Sequence, residues 1–193
     1  MLSKQQEAMW AESLNLQPVL RLPDFLREHK TPLPAAEEMR ELHVCLEEWT
    51  KELVCLHLNF TAGEGGQRDE QGLLLVYLPE AVEQYIAEVW QRSPAQGHLL
   101  HNLAQQLCRE AAALALPKIG LSGCAPLPRL TRAETNLLRE FVSESELGKG
   151  AKNKFLSSAT GIGRVYSILT YYPYAHDCAR CALSGCCPKL RYC

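Results

Sequence analysis

The chain has 193 residues, of which 47% are hydrophobic and 22% charged, and its formal net charge at pH 7 is −2. This is the composition of a globular protein with one sizeable core, or a core and a small appendage, and it excludes a disordered or fibrous chain. The apolar run GLLLVYL at 72–78 is far shorter than the roughly 18 residues that cross a bilayer, and the N-terminus lacks a secretory pattern. We therefore expect a cytoplasmic protein without membrane association.

Charge is distributed unevenly along the chain. Up to Gly148 there are 13 basic and 21 acidic residues, a balance of −8, whereas the residues after it carry seven basic and one acidic side chain, a balance of +6. Five of the seven tyrosines also lie in this last segment. We predict an acidic helical domain over 1–148 and a basic, tyrosine-rich segment over 149–193 that comprises a helix and a cysteine module and packs on the first part.

The first long helix is predicted to follow TPLPAAEEMRE, where Pro34 suits a first helical turn and two glutamates complement the positive helix end. Apolar residues then recur at steps of three and four: Met39, Leu42, Leu46, Trp49, Leu53, Leu56 and Phe60. This seam predicts one bundle helix of about six turns. The polar, glycine-rich stretch 61–72 is predicted to be a loop.

Two more helices are predicted after a short ambiguous run. GLLLVYLP at 72–79 fits either a buried strand or the start of a helix, because periodicity cannot separate the two in so short a run. Apolar spacing predicts a helix over 80–92 and another that carries leucines from Leu99 to Leu114 and ends near Pro117. Glycines and prolines predict a loop over 120–128.

The last two predicted helices complete an all-α architecture. Thr131 and Glu134 fit a capping box, in which each side chain satisfies a backbone donor at a helix start. Apolar spacing near the C-terminus predicts one last helix, from Val165, Ile168, Leu169 and Tyr172. The predicted fold is a bundle of about five to seven helices with a small cysteine-rich, metal-binding module at the C-terminus.

Five of the nine cysteines crowd into the last sixteen residues with the spacing C-x2-C-x4-C-C-x5-C: Cys178, Cys181, Cys186, Cys187 and Cys193. Cytosolic proteins rarely keep structural disulfides, so metal binding is the better interpretation of such a cluster. Two residues between a pair of cysteines let both thiolates turn toward one ion. Because thiolates at this density repel one another, we expect a cation to neutralise them.

The two candidate metal centres are an iron–sulfur cluster and a zinc ion, since thiolates bind both. Zinc usually takes two C-x2-C pairs separated by about a dozen residues or more, whereas a compact set with proline after a cysteine, as in Cys187-Pro188, is typical of ferredoxin-type loops. We therefore favour a [4Fe–4S] cluster over zinc. The first-choice ligands are Cys178, Cys181 and Cys187, while Cys186 and Cys193 compete for the fourth place. His176 is a further candidate, although a histidine there more often lies beside a site than in it.

A weaker candidate is an anion site in ATGIGRV at 159–165. Thr160 and Arg164, with the glycines between them, would present backbone amides and a guanidinium to a phosphate at a helix start. The segment lacks the spacing and the lysine of a phosphate-binding loop, so a simple glycine-rich helix start explains it as well.

Histidines and cysteines recur in two other places. His98, His101 and Cys108 share a helix face that could line a ligand cleft, although a polar flank of a bundle helix explains them better. On the long predicted helix, Cys55 and His57 are two residues apart and would point away from each other. We expect them to pack rather than to hold a metal, together with His43 and Cys45. The acidic stretch EEMRELHVCLEEW is expected to be a solvent-facing surface.

Three functions fit these observations. The first is an accessory or redox protein, with a C-terminal iron–sulfur cluster on a helical body that binds a protein partner or a small molecule. The second is a zinc-stabilised module whose basic, tyrosine-rich segment contacts nucleic acid or a protein, and the negative net charge makes nucleic acid the less favoured partner. The third is an enzyme with a substrate cleft near the cluster, formed by Arg164, His98 and His101, whose reaction the sequence does not select.

Overall fold

The computed structural model describes residues 9–30, 33–60, 72–116, 127–145 and 164–172. Five helices and four strands lie in these ranges: β1 (Met9–Ser13), α1 (Leu22–Glu28), α2 (Ala36–Glu52), β2 (Val54–Phe60), β3 (Gly72–Tyr77), α3 (Glu80–Arg92), α4 (Pro94–Ala115), α5 (Arg132–Ser145) and β4 (Ser167–Tyr172). This part of the chain therefore has a mixed α/β fold.

The four strands form one antiparallel sheet in the order β1-β2-β3-β4. β2 and β3 pair from Val54 opposite Tyr77 to Leu58 opposite Leu73. The chain reaches β4 only after α3, α4 and α5, and β4 then pairs with β3 along its whole length. β1 and β4 are the edges of the sheet that the structure describes.

Helices cover both faces of the sheet. Helices α1 to α4 pack on one face, over Leu74 and Val76 of β3, and α5 packs on the other face, over Leu73 and Leu75. Successive side chains of a strand point to opposite faces, so a strand between two helical layers needs an uninterrupted apolar run. The sequence GLLLVY of β3 supplies that run, and all six of its residues are buried. The sheet is therefore the middle of three layers.

The prediction of an all-α helical bundle is wrong, and the first reason lies at the end of α2. The helix ends at Glu52, and β2 begins at Val54. Leu56 and Phe60 fit the helical seam, but residues 54–60 also alternate between apolar and other side chains, which is the period of a strand. Leu58, which the helical seam leaves out, is fully buried on the face that α5 covers.

The predicted last helix is also wrong, because Ser167–Tyr172 forms β4. Its sequence, SILTYY, is rich in β-branched and aromatic residues, which favour strands. In the sheet, Leu169 packs on the face of α5, whereas Ile168 and Tyr172 pack on the face of α1 to α4. So short a run fits both the helical period and the alternation of a strand. Pairing with β3 makes it a strand.

Other predicted elements are confirmed: α3 spans Glu80–Arg92, and α4 ends at Ala115. The run at 72–79, which in the sequence fits either a strand or the start of a helix, forms β3 over Gly72–Tyr77. At the start of α5, the backbone N–H of Glu134 donates to Oγ1 of Thr131 at 3.2 Å, and the N–H of Thr131 donates to Oε2 of Glu134 at 2.6 Å, which is the predicted capping box. In the described ranges no helix is both long enough and apolar enough to cross a membrane. The predicted loops fall mostly outside these ranges.

Candidate functional site

The C-terminal cysteine module lies outside the described residues. This applies to all five predicted metal ligands, to His176 and to Thr160, so the cluster, its metal and its ligand set remain predictions. The nearest described element is β4, which ends at Tyr172, so Cys178 follows it by six residues in the sequence.

The cysteines that the structure does describe are thiols of the protein interior. Cys45, Cys55 and Cys108 are free and buried. Burial raises the pKa of Cys45 and of Cys55 to about 11, and it also raises the pKa of Cys108, whose thiol donates a hydrogen bond to the backbone carbonyl of Tyr166 at 3.6 Å. These thiols stay protonated at neutral pH and differ chemically from metal-binding thiolates.

The structure changes the reason why Cys55 and His57 do not form a metal site. Both lie on β2, where residues two apart share a face, so they do not diverge as they would on a helix. The His57 ring instead packs against Tyr172, with ring centroids 4.7 Å apart, and its Nδ1 lies 4.0 Å from Oε2 of Glu12. Among the described residues, no group of three or more histidines, cysteines or carboxylates could hold a metal ion.

Arg164 lies beside carboxylates at the start of β4. The residue is 9% exposed, and its Nη1 is 3.8 Å from Oε2 of Glu80. The backbone N–H of the next residue, Val165, donates to Oε1 of the buried Glu83 at 2.7 Å. Two glutamates from the first turn of α3 thus hold Arg164 and Val165, which lie just before β4. A phosphate bound at Arg164 would have to compete with these carboxylates.

The histidine row on α4 forms a local hydrogen-bond network. Nδ1 of His101 lies 3.1 Å from the hydroxyl of Tyr166, and its Nε2 lies 3.0 Å from the side-chain nitrogen of Gln105. Burial, and secondarily His98, lower the pKa of His101, so its imidazole is neutral at pH 7. His98 is exposed and lies 3.1 Å from the Asn102 amide. Cys108, the last residue of this row, is buried in the core.

A cleft that the sequence analysis did not predict lies between α2 and α3. Its volume is about 520 Å³, within the range of small-molecule sites. The α2 residues that line it include Glu37, Glu41, Cys45, Glu48, Trp49 and Glu52. From α3 come Ala81, Val82 and Tyr85. We call this site the α2–α3 cleft. Arg164, His98 and His101 do not line it, so the predicted cleft formed by these three residues is a different site from this one and stays a prediction.

The inner wall of the cleft is aromatic and is tied to one carboxylate. Trp49 and Tyr85 meet edge to face, with centroids 6.4 Å apart. The Tyr85 hydroxyl donates to Oε1 of Glu41, and the Gln96 amide donates to Oε2 of the same carboxylate. Burial, and then the hydrogen bond to Glu41, raise the pKa of Tyr85, so the phenol keeps the proton that it donates. Donors from α3 and α4 therefore fix the orientation of Glu41.

The rim of the cleft is acidic. Glu37, Glu48 and Glu52 are exposed, and Glu41 is half-buried below them. Their positions recur at steps of four, seven and four, which places all four on one helix face. This spacing is present in the sequence, from which we predict only a solvent-facing acidic surface. What the sequence does not contain is the apposition of α3, which converts an acidic stripe into the wall of a cleft.

Comparison with known proteins gives no relative: no family model, no curated protein and no solved structure matches this chain.

Proposed function

We propose that this chain is a cytoplasmic accessory or redox protein whose C-terminal cysteines bind a [4Fe–4S] cluster and whose α/β body recognises a small molecule or a protein partner. One observation carries the proposal: five cysteines occur in the last sixteen residues with the spacing C-x2-C-x4-C-C-x5-C. Cys178, Cys181 and Cys187 are the proposed core of the ligand set, completed by Cys186 or Cys193.

The chemistry of the remaining cysteines supports this division of roles. Cys45, Cys55 and Cys108 are buried thiols with raised pKa values, so they belong to the core of the body. A reducing compartment keeps the C-terminal thiols available for a metal, because disulfides rarely persist there. Lys189, Arg191 and the nearby tyrosines would offset the negative charge of a cluster and shield it from solvent.

The length of chain after β4 limits how far Cys178 can lie from an edge of the described sheet. Cys178 is six residues beyond Tyr172, and a fully extended chain of that length spans about 20 Å. A cluster held by Cys178 would therefore lie within about this distance of the edge strand. A partner that contacts the edge of the sheet would also approach the cluster, which suits electron transfer.

The second candidate is a zinc-stabilised module that contacts a protein or nucleic acid. The charge balance of +6 after Gly148 favours it, because basic side chains neutralise phosphates. In this case the cysteines form a structural clip, and the purified protein is colourless. An enzyme remains the third candidate, and the α2–α3 cleft is one cavity that would hold its substrate.

Metal analysis and an absorption spectrum of protein purified without oxygen test the proposal. We expect brown protein with about four irons per chain, and loss of both colour and iron in Cys178→Ser/Cys181→Ser. Cys124→Ser, which removes a cysteine outside the module, is the matched control and should keep the iron. Separate replacements of Cys186 and Cys193 identify the fourth ligand. Colourless protein with one zinc would support the second candidate, and protein without metal would overturn both.

A further inference from the structure

We propose that the α2–α3 cleft binds a small organic cation, an ammonium or guanidinium group on an apolar stem. This inference names a ligand class for the body and rests on the part of the proposed function that gives the body a small-molecule ligand, but it does not depend on the metal at the C-terminus.

The walls suit the stem of such a ligand and the face of its cationic group. Trp49 and Val82 are buried, at 4% and 2% exposure, and Tyr85 is half-buried beside them. Aromatic rings attract cations through the negative face of the π system. The half-buried Tyr85 is the aromatic residue of the lining that keeps exposed surface, and the buried Trp49 packs against it edge to face. Val44, also in the lining, is 47% exposed and adds an apolar edge. The cleft thus offers apolar contact and cation–π contact together.

The glutamates at the rim favour a positively charged ligand. Four glutamates line the cleft against one arginine, Arg40, so the lining carries a formal charge of −3. In the part of the chain that the structure describes, Glu37, Glu48 and Glu52 form no ion pair. Carboxylates grouped around a concave surface of low dielectric attract cations and repel anions.

Glu41 adds a hydrogen-bond acceptor of fixed orientation to this negatively charged lining. Each of its two oxygens accepts one hydrogen bond, from Tyr85 and from Gln96. A carboxylate oxygen can accept more than one hydrogen bond, so Glu41 retains acceptor capacity toward the cleft. Because its side chain is already held in place, a bound cation would not have to order it, which favours affinity. A planar guanidinium could use both an oxygen of Glu41 and the exposed part of the Tyr85 ring.

A metal ion does not fit the cleft as well as an organic cation does. The described residues contain no group of three or more histidines, cysteines or carboxylates placed to hold a metal. The volume of about 520 Å³ also exceeds what a bare ion needs and matches a small organic molecule.

Calorimetry with agmatine, which carries a guanidinium and an ammonium on a butyl stem, tests the inference. We expect saturable binding to the full chain and no binding of pentanoate, which has a similar stem and a negative charge. The variant Glu37→Gln/Glu48→Gln/Glu52→Gln should bind agmatine about tenfold more weakly or worse, because it removes three attracting charges. The control Glu47→Gln/Glu88→Gln/Glu140→Gln removes three exposed charges outside the cleft lining and should bind within about twofold of wild type.

A site-specific readout accompanies the calorimetry. The chain has three tryptophans, and agmatine should shift the indole N–H resonance of Trp49 more than those of Trp10 and Trp90. Absence of saturable binding, equal binding of pentanoate, or equal weakening in the two triple variants would overturn the inference. Iron measured in the same preparations keeps the two proposals separate, because loss of agmatine binding with iron intact concerns only the cleft.

Discussion

The His57 ring of β2 packs against the Tyr172 ring of β4 with centroids 4.7 Å apart, although β3 lies between the two strands. The contact is made across Gly72, the residue of β3 that pairs with Tyr172. A Cβ at Gly72 would clash with Nε2 of His57 and would lie 2.8 Å from the carbonyl oxygen of Leu58 and 2.9 Å from Oδ1 of Asn59. The absent side chain of Gly72 is therefore what lets the two rings meet.

Gly72→Ala should lower the free energy of unfolding by about 1–3 kcal/mol, because the added methyl group displaces His57 and presses on backbone that cannot move freely. Urea denaturation measures the change. In the double variant Gly72→Ala/His57→Ala part of the loss should be recovered, since one of the three close contacts of the added methyl group is removed. Unchanged stability of the single variant would contradict the packing described for this part of the sheet.

Glu83 should stabilise the start of β4. It is 5% exposed and accepts the Val165 backbone N–H at 2.7 Å, so Glu83→Ala leaves a partly buried donor without this acceptor. We expect a loss of about 1–3 kcal/mol in unfolding free energy and faster hydrogen exchange at Val165. Glu88→Ala, an exposed change on the same helix, should cost less than about 0.5 kcal/mol. Slow exchange at Val165 in the Glu83 variant would argue against this role.

Stability should fall at mildly acidic pH because of His101. Burial, and then His98, lower its pKa below the ordinary value of 6.5. Between the folded and the unfolded pKa, the unfolded chain binds more protons, so the free energy of unfolding rises with pH through this window and falls on acidification.

His101→Gln should therefore flatten the dependence of unfolding free energy on pH below about 6.5, while His43→Gln, a change of an exposed histidine, should leave it as in wild type. Urea denaturation at a series of pH values gives the slopes. A slope that is the same in wild type and His101→Gln would show that another group controls the dependence.

The buried thiols should resist alkylation in the folded protein. At pH 8, a thiol with a pKa of about 11 has about a hundredfold less thiolate than one with an ordinary pKa near 9. Iodoacetamide labelling followed by mass spectrometry should therefore find Cys45, Cys55 and Cys108 unmodified in native buffer and fully modified in urea. Rapid labelling of Cys55 or Cys108 under native conditions would contradict their burial.

The sequence correctly predicts the elements whose apolar residues fit only the helical period or only the alternation of a strand. The apolar spacing in the thirteen residues of α3 predicts a helix, and the spacing of Thr131 and Glu134 predicts the capping box of α5. Both predictions are confirmed. Residues 54–60 and 167–172 fit helical steps and strand alternation alike. Their conformation depends on pairing with β3, and such long-range pairing leaves no local pattern in the sequence.

The two candidate sites also differ in how much of each the sequence alone reveals. The steps between Glu37, Glu41, Glu48 and Glu52 reveal an acidic stripe on α2, but only the position of Tyr85 on α3 turns the stripe into a cleft. The cysteine spacing is local and complete in the sequence, so it supports a chemical proposal without the fold.

The iron content of protein purified without oxygen tests the central claim most directly. We expect about four irons per chain in wild type and in Cys124→Ser, and less than about one in Cys178→Ser/Cys181→Ser. Wild-type protein without iron, or a double variant that keeps its iron, would contradict a cluster at the C-terminal cysteines.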